Sequence, residues 1–250
     1  MSPFWLQLRN QGLGFLREPM VAVFNLLVPF VIVLVQAMAF GEEMIGDALP
    51  GYRIVDALAV NAGVMFAMIV GLFGMGVGLS SMIESRVLAG SSLRPGGSGL
   101  VLRAYGVVLL LMVMLGWVGS TVALWIGWRI KAPEQPFVAL GVMALGVALF
   151  LAFGACIGAA AGNPRSAQGL CSAIFFPLLF LSGAVFPIDS YPAALRVVAE
   201  WLPGYQFNEL LAPTWVSGQP FAWVSLVYCV VATVVFAALA QWLLARREDV

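Results

Sequence analysis

The sequence predicts an all-α polytopic membrane protein: six transmembrane helices, an N-terminal interfacial helix, and short re-entrant outer helices between the fifth and sixth spans. Three observations predict it. Of 250 residues, 62% are hydrophobic and only 10% charged, where soluble domains carry about a quarter charged residues; the mean hydropathy is +1.00. Six stretches, at about 20–40, 57–82, 104–128, 137–161, 166–187 and 221–245, reach the ~20 apolar residues that cover ~30 Å of hydrocarbon as helix. The basic residues also sort by loop. Arg9, Arg17, Arg86, Arg94, Arg103, Arg165, Arg246 and Arg247 fall on the side holding both termini, and Arg53, Arg129, Lys131 and Arg196 on the other. Basic residues accumulate in cytoplasmic loops, so both termini are expected inside. The ten-residue alternation of a membrane barrel is absent.

The elements follow in order within a single domain, 1–250. Residues 1–19 show no cleavable leader pattern. Phe4, Leu8 and Phe15, and Trp5, Leu8 and Leu16, recur at helical spacing, which predicts an amphipathic segment in the membrane interface. The second span contains "GLFGMGVG" with Gly71, Gly74, Gly76 and Gly78, and Gly154, Gly158 and Gly162 repeat every four residues near the end of the fourth. Small-residue faces let helices approach closely in lipid, either within one chain or against a second subunit. The inner connection 83–103 predicts a short helix from Glu84 to Leu93, ended by Pro95-Gly96-Gly97, with Ser98 capping the third span. On the outer side, Pro187 blocks continuation of the fifth span. Asp189, Ser190 and Pro192 start a short amphipathic helix that Pro203-Gly204 breaks, and a second apolar segment runs from Phe207 to Leu211. Tyr191, Trp201, Tyr205 and Trp215 are aromatics of the kind that anchor at an interface. Such helices fit a re-entrant cap over 188–213.

Composition excludes several functions. Net charge is zero with no basic block, so nucleic acid is not an expected partner. There is no histidine, and Cys156, Cys171 and Cys229 fall in separate spans, so neither a metal site nor a disulfide framework is expected. No nucleophile elbow or HExxH motif points to hydrolysis. The last five spans carry no Asp, Glu, Lys or Arg, whereas proton-driven carriers place ionisable relays at membrane depth. The sole lysine, Lys131, lies outside any GK[ST] loop, so ATP hydrolysis is not expected on this polypeptide. Met65, Phe66, Met68 and Phe73, with the amide Asn61, are either lining residues of a path for a hydrophobic or amphipathic substrate, or ordinary packing and lipid contacts.

Four segments together carry a resemblance. "FLREPMVAVFNLLVPFVIVLVQAMAFG", "ESRVLAGSSLRP" followed by "SGLVLRAYGVVL", "FPLLFLSGAVFPIDSYPAALRVVAEWLPGYQFNELL" and the basic end Arg246-Arg247 are similar, in order and spacing, to the permease subunit of type-2 ABC transporters, a family that includes daunorubicin-type drug exporters and lipid or glycolipid exporters. Glu84 and Arg86 form a sparser charged cluster than that family's loop carries, and Gly96-Gly97 departs from its usual continuation.

The resemblance implies a bacterial-type inner (plasma) membrane protein. Its partners would be a nucleotide-binding ATPase subunit that holds ATP and Mg, a second permease copy or sister chain, and membrane lipid; no cofactor would bind this chain. It implies coupling to the ATPase through Glu84, Arg86, Gly90, Leu93, Arg94 and Pro95 with the N-terminal helix, and an outer gate at Gly183, Pro187, Asp189, Tyr191, Pro192, Trp201 and Pro203. The alternatives are a polysaccharide or glycoconjugate exporter, a secondary carrier, and a membrane scaffold. A secondary carrier would be expected to show an ion site or inverted repeat, and neither is visible.

Overall fold

A computed structural model describes residues 5, 7–9, 11–12, 19–45, 51–87, 97–185, 191–216 and 220–248. Every regular element among them is a helix, apart from an isolated bridge between Met44 and Arg53. The helices are α1 (Pro19–Phe40), α2 (Ile54–Ile69), a π-helical turn (Val70–Met75), α3 (Gly76–Glu84), α4 (Gly97–Trp128), α5 (Pro136–Ala161), α6 (Pro164–Leu181), α7 (Ala193–Glu200), α8 (Pro203–Leu211), a 3-10 turn (Ala212–Thr214) and α9 (Trp223–Glu248). Four are long and apolar enough to cross a membrane: Ile54–Glu84, Gly99–Trp128, Pro136–Ala161 and Trp223–Arg247. The two other predicted spans fall on α1, with a shorter apolar stretch at Leu26–Phe40, and on α6.

Packing ranks these helices from centre to rim. The most apolar stretch of Ile54–Glu84 is 83% buried, against 17% for Trp223–Arg247. Val227, Val230, Val231, Val234 and Val235 on α9 stand exposed, an outer face suited to lipid rather than water. α5 packs against both α9 and the π-turn; Phe153 and Phe236 stack across the α5–α9 seam at 4.5 Å. On α1, Pro29, Val33, Ala37 and Gly41 are buried at four-residue spacing, while Leu27, Val31, Val35 and Met38 face out. That stripe lays α1 along α2.

The two glycine runs meet within this one chain. A Cβ on Gly154 would strike the carbonyl oxygen of Gly71, and one on Gly158 would lie 2.5 Å from that of Gly76. The backbones of α5 and the π-turn are therefore in contact, as small-residue faces in lipid permit. Gly78 serves another neighbour: its missing side chain leaves room for the phenol of Tyr105.

The π-turn interrupts the i→i−4 ladder, and α4 and α6 reach across to its carbonyls. The Tyr105 hydroxyl donates to Gly74 O at 2.9 Å and the Cys171 thiol to Leu72 O at 3.2 Å. Cys171 is thus a donor to the backbone as well as a small packing residue. Tyr105→Phe is expected to raise amide exchange across Val70–Gly78 roughly tenfold, the cost of one buried hydrogen bond, and to leave α9 unchanged. Mass-spectrometric hydrogen exchange checks it.

Several predicted boundaries move. The inner helix expected over Glu84–Leu93 does not start at Glu84, which ends α3; Arg86 turns the chain with φ 55°, Val87 is helical, and 88–93 lie outside the described residues. Ser98 is not a cap, because α4 already starts at Gly97. The fifth predicted span ends at Leu181, well before Pro187. Gly183 adopts φ 80°, a left-handed conformation that suits a helix C-terminus, and the Ser182 hydroxyl accepts from Ala184 N at 3.1 Å. At the C-terminal end of α5, Gly162 is left-handed (φ 71°), and Arg247 from α9 donates to Ala160 O at 2.9 Å. A guanidinium there satisfies an orphan carbonyl and complements the helix dipole.

Candidate functional site

The segment expected to form an outer cap, 188–213, falls on α7, α8 and the turn that follows. Pro203 opens α8 at its first position, where a missing N–H costs nothing. From α8, Phe207, Leu210 and Leu211 enter the core fully buried. The Phe207 ring fills the space where a side chain on Gly146 of α5 would stand, edge-on to Phe150 with centroids 6.3 Å apart. Asn208 donates to Ser182 O at 3.0 Å, tying α8 to the end of α6. By contrast α7 is mostly exposed: Leu195, Val197, Val198 and Trp201 stand out, and only Ala199 is buried. Two tyrosines hold it. The Tyr191 hydroxyl donates to Phe180 O, and that of Tyr228 on α9 donates to Trp201 O at 2.8 Å. Burial pushes the Tyr191 phenol up from its ordinary value.

Of the gate residues named from the sequence, Tyr191, Pro192, Trp201 and Pro203 lie at or beside the ends of α7 and α8 and Gly183 follows the end of α6, whereas Pro187 and Asp189 lie outside the described residues. Trp215 departs from expectation. It is 3% exposed, packs edge-on to Trp117, and its indole N–H donates to Lys131 O at 3.1 Å, so it anchors protein to protein and not to an interface.

Of the residues expected to couple to an ATPase, Glu84 and Arg86 are exposed at the end of α3; Gly90, Leu93, Arg94 and Pro95 lie outside the described residues. In the N-terminal segment the described residues 5, 7–9 and 11–12 are helical, with Trp5 exposed; Phe4, Phe15 and Leu16 lie outside. Of the residues named for a substrate path, Met65, Phe66 and Met68 are wholly buried between helices, Asn61 is half-buried, and half-buried Phe73 meets Phe175 edge-on at 5.5 Å. Phe66 also borders a lateral groove of about 420 Å³ lined by Leu26, Leu27, Phe30, Leu115, Gly116 and Gly119.

Sequence reasoning missed a polar junction between the N-terminal end of α2 and the C-terminal end of α4. Asp56, 2% exposed, accepts Arg53 N and Lys131 N, each at 2.9 Å. The first bond is half of a capping box. The second reaches the α4–α5 loop. The Arg53 guanidinium lies 3.8 Å from Asp56, pairs with Glu42 at 3.3 Å and donates to Trp128 O at 2.8 Å. The Lys131 ammonium donates to Gly51 O at 2.7 Å and sits over the Tyr52 ring. An acid three residues after Arg53, at the foot of an apolar run, was the available signal. Among the described residues no group of three His, Cys, Asp or Glu is placed to hold a metal ion.

Among the described residues, a helical bundle with four apolar helices long enough to span a membrane defines a multi-pass membrane protein. The family model described as ABC-2 type transporter matches residues 3–214, and the chain belongs to that family of transporter membrane components. Over 79 residues it is 42% identical to Nodulation protein J of Rhizobium leguminosarum bv. viciae, a match covering 29% of this chain and 30% of that protein. The chain therefore aligns with about a third of that curated relative's length.

Proposed function

We propose that this chain is the permease subunit of an ATP-driven exporter in a bacterial-type inner membrane. It would have six spans, both termini in the cytoplasm, an interfacial helix over 1–19 and an outer cap over 188–213. The observation that carries the reading is the family match across residues 3–214. A helix at each of the six predicted places, with eight of the twelve basic residues assigned to the side of both termini, supports the topology.

The engine is a separate nucleotide-binding subunit holding ATP and Mg. It docks on the inner loop at Glu84, Arg86, Gly90, Leu93, Arg94 and Pro95, and on the interfacial helix. A second permease chain completes the path. Binding of ATP brings the two ATPases together, pushes the inner loops, tilts the spans and lifts the cap. Short helices with few buried contacts open at low cost, and exposed α7 is of that kind. The cargo is hydrophobic or amphipathic, drug-like or lipid-like, because the bundle offers Met, Phe and apolar grooves with no fixed charge at mid-depth.

Co-purification with a candidate nucleotide-binding ATPase tests the reading. Arg94→Glu is expected to weaken the association or to leave hydrolysis running without transport. Unchanged association and substrate-stimulated turnover would remove that loop from the coupling path. Uphill transport by the chain alone in nucleotide-free liposomes would replace the exporter with a secondary carrier. Absence of any ATPase partner would leave a scaffold, and transport confined to sugar-bearing cargo would make it a glycoconjugate exporter.

A further inference from the structure

We infer that Asp56 is a positioning residue that passes motion of the second span to the outer cap through the backbone of Lys131; the inference rests on the cap acting as the gate. The connection is continuous. Asp56 sits in the first turn of α2 and holds Lys131 N at 2.9 Å. The carbonyl of that same residue accepts the indole N–H of Trp215 at 3.1 Å. Four residues further along the α4–α5 loop, Gln135 N donates to Thr214 O at 3.2 Å. Thr214 and Trp215 close the 3-10 turn that follows α8, whose Phe207 and Leu211 seat the cap in the core. The α4–α5 loop is thus gripped on one edge by a carboxylate of the second span and on the other by the end of the cap.

The chemistry suits a rigid link. A buried carboxylate accepting two backbone N–H groups makes charge-assisted bonds, about twice as strong as neutral ones. Removing it leaves two backbone donors without their acceptor in a shielded site, which is costly, while the Arg53 guanidinium keeps Glu42 and Trp128 O. Below Asp56, the same helix runs through the π-turn into α3 and ends at Glu84, beside the inner loop. The link therefore spans the whole path, from the loop proposed to meet the ATPase to the turn that fastens the cap. A capping role alone would need only the Arg53 N–H, yet the second oxygen is committed to another loop.

Hydrogen exchange on the full chain in lipid nanodiscs tests the link without nucleotide or cargo. Asp56→Asn is expected to raise exchange roughly tenfold at residues 130–135 and 212–216, with α5 unchanged. Trp215→Phe keeps an aromatic in the core but removes the indole donor; it should loosen 212–216 while leaving 53–56 protected. A change confined to 53–56 in Asp56→Asn overturns the inference, and if that variant does not fold, an unchanged 212–216 in Trp215→Phe does so.

A second arm uses the complex with its ATPase trapped by ATP and vanadate. In the wild type, exchange should change at both 83–103 and 203–216; in Asp56→Asn the inner change should remain and the outer one vanish, which a merely structural role would not produce. An outer change that persists in Asp56→Asn overturns the link. No outer change in the wild type overturns the gate reading instead, and the nanodisc result then decides the link.

Discussion

Gly154→Ala is expected to be the most damaging single methyl in the chain. The added carbon would collide with the carbonyl of Gly71, which is backbone and has no rotamer to escape into. Relief requires α5 and the π-turn to separate along the central seam of the bundle, where Gly76 and Gly158 also touch. Overpacking a close-packed site costs about 1–3 kcal/mol, and a backbone obstacle places this variant at or above about 3 kcal/mol. Size-exclusion thermostability in detergent should show a large drop in midpoint or loss of the folded peak. Gly141→Ala, on the exposed face of the same helix with nothing within 4 Å, is the control. It should be neutral or slightly stabilising, because alanine exceeds glycine in helix propensity by up to about 1 kcal/mol. Equal damage from both would mean that helix flexibility, and not close approach, is what the glycines of α5 supply.

Phe207→Ala should have the second largest effect, and of a different kind. Truncating a fully buried phenylalanine costs about 3–5 kcal/mol, here lost mainly from the seat of the cap. The ring occupies the notch above Gly146 and leans on Phe150, so its removal leaves α8 held chiefly by Leu210, Leu211 and the Asn208 bond to Ser182. Proteolysis from the outer face should cut near 201–206 at least tenfold faster than in the wild type, while the α5–α9 seam stays intact. If cleavage stays slow and the whole bundle instead loses stability, the cap is part of the core and cannot act as a separable lid. Gly146→Ala attacks the same joint from the other side and should reproduce the phenotype with the phenylalanine still present.

The long helices were legible because hydrophobic length is a one-dimensional property that no tertiary contact overrides in lipid. Residues 137–161 and 104–128 fall inside α5 and α4 for that reason. Boundaries were less legible because they depend on dihedral angles that composition does not report. Pro187 drew attention as a breaker, yet the chain had already turned at Gly183 with φ 80°. Serine before the third span suggested a cap, but the helix starts at Gly97, where the missing side chain tolerates φ 59°. Glycine spacing announced close packing without naming the partner; only three dimensions show Gly71 against Gly154.

The polar junction was hidden by a different limit. Asp56 and Lys131 lie 75 residues apart, and the bond uses the lysine's main chain, so no residue type at position 131 could have signalled it. Tyr105 was passed over for a similar reason, since its partner is the carbonyl of a glycine. Trp215 read as an interfacial aromatic because indole suits both a headgroup layer and a buried acceptor, and its sequence neighbours do not discriminate between the two.

The π-turn at Val70–Met75 has one more consequence. Relative to an uninterrupted α-helix, a single π-turn holds about one extra residue, which swings everything below it by about 100° around the helix axis. The compass bearing of Glu84 beneath the bundle is therefore set more than ten residues above it. A chimera that imports another permease's inner loop with an unbroken helix above would present the right side chains on the wrong side, so the graft has to start no lower than Val70.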